Sequence, residues 1–214
     1  MIDLWYLNTD NISQEDIKAL LSLLPQEMIN GITRFRNHED RRLKLFSRLM
    51  IKKYYEEQGQ KFNWLEWQIS PGGKPYYNNN SKKFSISHSG NYVIVAFSDY
   101  EIGTDIERPA SFDILSVLDY LHPQEAEYIE SASNSEEAFF MVWTRKEAYL
   151  KAIGKGIIDG LNNENCLQNE LSPPGEKWFL HSLPLFTNYQ IAICTGIPDC
   201  QISTRELFPV QFQI

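Results

Sequence analysis

Two acidic stretches about forty residues apart hold the side chains best equipped for chemistry. One is Glu101-Ile-Gly-Thr-Asp-Ile-Glu-Arg108, the other Trp143-Thr-Arg-Lys-Glu-Ala-Tyr-Leu-Lys-Ala-Ile-Gly-Lys-Gly156. In the first, Ile102, Thr104 and Ile106 alternate with Gly103, Asp105 and Glu107, the period of a strand. Side chains of a strand alternate faces, so Asp105 and Glu107 point the same way, about 7 Å apart at the backbone. Carboxylates that close repel unless a cation lies between them. The second stretch reads as a helix that sets Glu147 and Lys151 one turn apart on one face. Three carboxylates and a lysine point to a divalent metal and a phosphate. Magnesium suits carboxylate oxygens and commonly bridges to substrate phosphates, so Asp105, Glu107 and Glu147 are candidate Mg²⁺ ligands. Lys151 is placed to touch the phosphate.

Other chemistries fit less well. Two neighbours on one strand are poorly arranged to flank a sugar bond, against glycoside hydrolysis. Gly72-Gly-Lys-Pro75 lacks the full Gly-x4-Gly-Lys-Ser/Thr pattern of a phosphate loop, although its glycines permit close backbone approach and Lys74 adds charge. Ser87-His88-Ser89 cannot form a serine–histidine pair from adjacent residues, but its hydroxyls and imidazole can bind phosphate oxygens. The helix around Glu147 is apolar on nearly all sides, and a buried helix must pair or use its charges. A simple Glu147–Lys151 pair is the plain alternative.

The elements that position these residues follow from pattern. Ile2 to Leu7 reads as a strand, and Ser13 caps a helix through Leu24 that Pro25 ends. Asp40 to Glu57 reads as a strong helix closed by Gly59. Trp64 to Ile69 reads as a short strand, followed by loop at Pro71–Pro75 and Asn78–Asn80. Phe84 to Ser87 and Tyr92 to Phe97 read as strands about a turn at Ser87–Asn91. After the acidic strand, Ser111–Tyr120, Pro123–Glu130 and Asn134–Ile153 read as helices, the last ended by Gly154 and Gly156. Residues 162–176 read as loop. Trp178–Leu183, Tyr189–Cys194 and Gln201–Leu207 read as strands. Asn91-Tyr-Val-Ile-Val-Ala-Phe97 echoes Asn188-Tyr-Gln-Ile-Ala-Ile-Cys194, a weak sign of a duplicated α/β unit with the acidic strand at its junction.

Composition excludes several classes. The 214 residues, 43% apolar and 13% aromatic, suit a compact globular protein. No apolar run is long enough to span a bilayer, and Met1-Ile-Asp-Leu-Trp5 lacks the pattern of a secretory signal. Three cysteines without metal or redox spacing and four histidines without a paired motif argue for a cytoplasmic protein and against zinc. A net charge of −8 argues against nucleic acid. Eight basic residues nevertheless cluster from Arg34 to Lys53, either a solvated face or a local anion site.

Gly72-Gly-Lys-Pro75, Phe84-Ser-Ile-Ser-His-Ser-Gly90, Ile102-Gly-Thr-Asp-Ile-Glu107 and the Trp143–Gly156 stretch together resemble the ordered motifs of the 4′-phosphopantetheinyl transferases. The length is similar to the surfactin-synthetase-activating (Sfp) type. That resemblance implies an α/β (α+β) pseudo-dimer of two similar halves, each a small, largely antiparallel sheet packed with helices. The active site would lie at their junction. Residues 1–100 would form the coenzyme A-binding half, and 101–214 the half with the metal-binding and catalytic motifs.

It implies transfer of 4′-phosphopantetheine from coenzyme A to a serine of an apo acyl, polyketide or peptidyl carrier protein, releasing adenosine 3′,5′-bisphosphate. Asp105, Glu107 and Glu147 would hold Mg²⁺, with Glu147 also the general base and Lys151 stabilising the pyrophosphate. Lys74, Ser87, His88, Arg42 and Arg48 would contact coenzyme A, with Arg41 a further candidate. The enzyme would act as a cytoplasmic monomer with no membrane or nucleic-acid partner. Gly31 replaces a basic residue common in relatives, leaving Arg34 or Arg42 for the 3′-phosphate, and Ser85 replaces a common asparagine. Two other readings are a non-catalytic carrier-binding module and another Mg²⁺-dependent nucleotide phosphotransferase.

Overall fold

The computed structural model describes residues 1–78, 82–155 and 161–212, so the expected loop at Asn79–Asn80 and the stop at Gly156 lie outside the described residues. Strand β1 (Ile2–Asn8) leads into α1 (Gln14–Leu21), whose N-cap is Ser13: its hydroxyl accepts from Asp16 N. The helix expected through Leu24 ends at Leu21, and Pro25 caps the start of a second helix, α2 (Gln26–Thr33), which the sequence pattern does not mark. Proline is pre-shaped for a helix start and lacks only an N–H that would be unpaired there. Helix α3 (His38–Glu57) begins two residues before expectation because Asn37 caps it, accepting from Glu39 N.

The Trp64–Ile69 stretch divides into a single 3₁₀ turn, Trp64–Glu66, and β2 (Trp67–Ile69), which pairs with β3 (Pro75–Tyr77) across the Gly-Gly-Lys loop. Strands β4 (Lys83–Ser89) and β5 (Tyr92–Ser98) form a hairpin. Its turn is only Gly90-Asn91, so Ser87, His88 and Ser89 are strand residues and not a loop. Then come β6 (Ile102–Glu107), a one-turn α4 (Leu115–Leu118), α5 (Pro123–Ser131) and α6 (Ser135–Ile153). Gly154, at φ 71°, stops α6 in the left-handed conformation that glycine adopts without penalty. Strands β7 (Glu170–Leu171), β8 (Trp178–Ser182), β9 (Gln190–Thr195) and β10 (Ile202–Leu207) complete the chain.

Two four-stranded sheets result, in orders β10-β1-β5-β4 and β6-β9-β8-β7. The trios β1-β5-β4 and β6-β9-β8 have the same order and the same antiparallel sense. Their registers also correspond: Asp3 faces Phe97 as Gly103 faces Cys194, the offset of the sequence echo. The mixed α/β chain therefore consists of two similar halves. The last strand, β10, crosses back to pair in parallel with β1.

Strand alternation sorts the core into layers. Ile2, Leu4, Ile94 and Ala96 of the first sheet pack on Ile106, Ile191 and Ile193 of the second. Trp5, Leu7, Val93, Val95 and Phe97 face outward onto α3. On the far side of the second sheet, Ala192 and Cys194 pack with Ala148 and Ala152 of α6.

Two contacts join the layers where β4 and β6 run side by side. The first is a row of serines on β4. Ser85 Oγ accepts from Thr104 N (3.0 Å), Ser87 Oγ donates to Asp105 Oδ1 (2.7 Å), and Ser89 Oγ accepts from Arg108 N (3.1 Å) while donating to Glu107 Oε2 (2.7 Å). Hydroxyls thus satisfy edge-strand amides that have no ladder partner there. The second is at Gly103, where a Cβ would collide with Ala148 O and lie 2.5 Å from Ala152 N. Helix backbone rests directly on strand backbone. Gly103→Ala must push α6 away from β6, and urea unfolding should show a loss of about 3 kcal/mol.

Candidate active site

Asp105 and Glu107 lie on the α6 side of β6, as the alternation required, and Glu147 and Lys151 face them from α6. All four line one cavity of about 370 Å³, together with Ser87 and His88 of β4 and Lys44, Ser47 and Arg48 of α3. Trp67, Ile69, Gly73 and Pro75 form its remaining wall.

The acidic wall is tightly bonded. Lys151 Nζ donates to Asp105 Oδ1 at 2.6 Å and to Ser87 Oγ at 3.2 Å. Asp105 is 3% exposed, and its other oxygen, Oδ2, is buried without a hydrogen-bond partner among the described residues. Burial pushes Glu147 up to about 7 against the attraction of Lys151, and repulsion from Asp105 and Glu107 adds to the rise. Burial also raises Glu107, against the hydrogen bond from Ser89.

The opposite wall is cationic. Lys44 and Arg48 sit one turn apart on α3, and neither takes part in an ion pair among the described residues. Lys44 lies over the Phe35 ring at 4.4 Å and Arg48 over Trp67 at 5.7 Å. Aromatic faces hold cations while leaving them unneutralised for a ligand. Arg48 donates to Lys44 O and Ser47 Oγ, and burial lowers it to about 10. Burial, with repulsion from Lys44 and Lys151, holds His88 at about 4, so it is a neutral imidazole at pH 7.

Two residues expected to contact coenzyme A do not line this cavity. Lys74 does not line this cavity: its ammonium donates to Ile102 O at 2.9 Å and lies 3.6 Å from Glu101. In the same loop Gly72 packs so closely on Gly154 O that a side chain would not fit. Lys74 instead lines a neighbouring cleft of about 950 Å³ on the other side of the loop, shared with Tyr149 and Trp178. Arg42 does not line the carboxylate cavity either; Lys44, two residues on, takes that place. The missed signal was the helical spacing of Lys44 and Arg48. Arg41 is turned toward Phe35 O.

Among the described residues no three His, Cys, Asp or Glu side chains form a ready cluster of metal ligands. The bonds of Asp105 to Lys151 and Ser87, and of Glu107 to Ser89, keep the carboxylates directed to other partners. The donor set nevertheless fits a hard divalent cation: three carboxylates in one cavity and one orphaned buried oxygen on Asp105.

Residues 101–194 match the family model of the 4′-phosphopantetheinyl transferase superfamily, and residues 10–99 match that of the 4′-phosphopantetheinyl transferase N-terminal region. The chain is 30% identical over 205 residues to the 4′-phosphopantetheinyl transferase Gsp of Aneurinibacillus migulanus, covering 91% of this chain and 86% of that one. It is 28% identical over 200 residues to Ffp of Bacillus subtilis, covering 88% and 89%. Identity to Sfp of Bacillus subtilis strain 168 is 25% over 199 residues, covering 88% and 89%.

The shifted groups oppose each other in the pH dependence of stability. His88 binds its proton less well folded than unfolded, so stability is lost as pH falls from about 6.5 to about 4. Glu147 binds its proton better folded, so stability is gained as pH falls from about 7 to about 4.5. Each effect reaches about 3 kcal/mol. In chelator without ligand, urea unfolding at pH 7 and 4.5 should show His88→Gln gaining on the parent upon acidification and Glu147→Gln falling behind it.

Proposed function

The chain belongs to the 4′-phosphopantetheinyl transferase superfamily, and from that premise we propose that the cavity between β4, β6, α3 and α6 is its active site. The enzyme transfers 4′-phosphopantetheine from coenzyme A to a serine of an apo carrier protein. The observation that carries the site assignment is a single cavity with a cationic wall opposite a carboxylate wall. A polyanionic substrate needs the first, and removal of the proton from the attacking hydroxyl needs the second.

Lys44 and Arg48 bind phosphate oxygens of coenzyme A, and their half-buried charges, unpaired among the described residues, favour its 3′-phosphate. Neutral His88 donates or accepts a hydrogen bond at the same ligand. Asp105, Glu107 and Glu147 would hold Mg²⁺, which supplies charge neutralisation at the pyrophosphate when bound. The carrier serine oxygen attacks the phosphorus that bears the pantetheine arm. The new P–O bond forms as the bond to adenosine 3′,5′-bisphosphate breaks. Glu147 takes the hydroxyl proton, a role suited to a carboxylate held near neutrality. Lys151 stabilises the charge that develops on the leaving phosphate.

Residues 1–100 then provide the coenzyme A half and 101–214 the metal-binding and catalytic half. Both halves are in one chain, so a monomer suffices for a complete site. Free thiols at Cys166, Cys194 and Cys200 suit a cytoplasmic location. Among the described residues no helix is long and apolar enough to cross a membrane. Phe112, Leu115, Tyr120 and Tyr128 leave an exposed apolar face between β6 and α6, and the carrier docks there.

Mass spectrometry of apo carriers incubated with coenzyme A and Mg²⁺ should detect the added phosphopantetheine. Chelation should stop it, and Glu147→Gln should slow it roughly 10²- to 10⁴-fold with fold unchanged. Arg48→Gln should weaken coenzyme A roughly tenfold or more in calorimetry while leaving dephospho-coenzyme A nearly unaffected. If no apo carrier is modified, the reading fails.

A further inference from the structure

The catalytic stretch of α6 contains two cations that the proposed reaction does not use, Arg145 and Lys146. Thr144, Arg145, Lys146 and Glu147 are consecutive and only 1%, 4%, 2% and 8% exposed. Successive helical residues are turned by about 100°, so these four polar side chains radiate around nearly the whole helix. Each must find a separate partner.

Three of them do. Thr144 Oγ1 donates to Phe140 O on its own helix. Arg145 grips the segment that follows α6: Nε donates to Cys166 O, Nη2 to Gln168 O and Asn169 Oδ1, and Nη1 to Ser182 Oγ on β8. Lys146 Nζ lies 2.8 Å from Glu125 Oε2 and donates to Glu164 O at 2.8 Å. Glu125, wholly buried, also accepts from Cys166 N and from His122 N, the N-cap of its own helix. Glu147 alone accepts no hydrogen bond among the described residues and faces the cavity.

We propose that Arg145 and Lys146 are positioning residues that lock the rotation of α6 about its axis and thereby aim Glu147 at the carrier serine. The backbone contact at Gly103 fixes how close α6 lies to β6, but small residues on both sides offer little to prevent the helix from turning. A rotation of 10° at a side-chain radius of about 6 Å moves a carboxylate by about 1 Å. Displacements of that size cost catalysis roughly tenfold to hundredfold. Ion pairs and multiple hydrogen bonds on both flanks resist that rotation where apolar packing, which lacks direction, would resist it less. A buried pair of this kind adds little stability over an apolar substitute, so its value is geometric.

The inference rests on the transfer reaction proposed above, and the test separates the two. The double variant Lys146→Met with Glu125→Gln removes the ion pair without stranding a buried charge. It is compared with the parent chain, both verified as folded at the assay temperature by near-ultraviolet circular dichroism. Transfer to an apo carrier gives kcat and the KM of coenzyme A, and calorimetry gives the affinity for coenzyme A. The expected result is a fall in kcat of roughly tenfold to hundredfold, with KM and affinity for coenzyme A within about twofold. A kcat within about twofold of the parent would overturn the inference, as would a loss confined to coenzyme A binding. Should the double variant not fold, Glu125→Asp keeps both charges and shortens the strut by one methylene, with the same two outcomes. An inactive parent would overturn the transfer reading together with this inference; an active parent with an unchanged variant overturns only the latter.

Discussion

The contact of α6 on β6 at Gly103 sets the scale of everything around it. Helices pack on sheets at a distance fixed by the side chains between them, and here that layer is missing. With no Cβ at 103 and only methyls at Ala148 and Ala152, the helix descends onto the strand. The residues one position before those alanines, Glu147 and Lys151, are thereby brought beside Asp105, which lies two residues beyond Gly103 on the same face. A larger residue at 103 would open the 2.6 Å contact between Lys151 and Asp105. The serine row on β4 completes the enclosure from the other side, because Ser87 binds the same carboxylate oxygen as Lys151.

Such closeness has an electrostatic cost. Three carboxylates share a cavity with one adjacent ammonium: burial holds Glu147 near 7 and raises Glu107, and repulsion among the carboxylates adds to both. Across the cavity the charge is reversed: burial, with repulsion from Lys44 and Lys151, keeps His88 neutral. Neither wall neutralises the other, so both remain strained against their own charge. A ligand that carries phosphates toward the cations and a divalent ion toward the carboxylates relieves both strains together. Selectivity for such a ligand follows from charge separation rather than from the small apolar surface of the cavity.

Much of this was legible because it rests on local periodicity. Alternation put Asp105 and Glu107 on one face, helical spacing put Glu147 and Lys151 on another, and the Asn91 and Asn188 echo marked two strands that prove equivalent in register. What escaped depends on distant backbone. Lys74 is held by Ile102 O and Glu101, distant partners that no local pattern encodes. Arg42 and Lys44 differ by 200° around α3, and choosing between them requires knowing which face looks at His88. The Ser85, Ser87, Ser89 row has the period of a strand facing something polar, but Ser87–Ser89 with Gly90 and Asn91 has the composition of a turn, which masks it. Strand β10 returns to β1, a pairing that sequence proximity to β9 disguises.

The duplication explains why the carboxylates lie on one side of the junction. By register, Trp5 is the counterpart of Asp105 and Leu7 of Glu107, and Asp3 is the counterpart of Gly103. In the first half those outward positions carry an apolar core: Trp5 meets Tyr54 and Phe97, while Asp3 accepts from the Tyr54 hydroxyl and holds α3 at full side-chain distance. In the second half the same positions are acidic and the spacer is a glycine. One copy therefore keeps the ordinary helix-on-sheet spacing and supplies stability, with its long helix presenting Lys44 and Arg48 at the rim of the junction. The other gives up that packing layer to bring backbone and carboxylates together. A single unit could not do both, because the residues that make a helix pack well on a strand occupy the positions the carboxylates need.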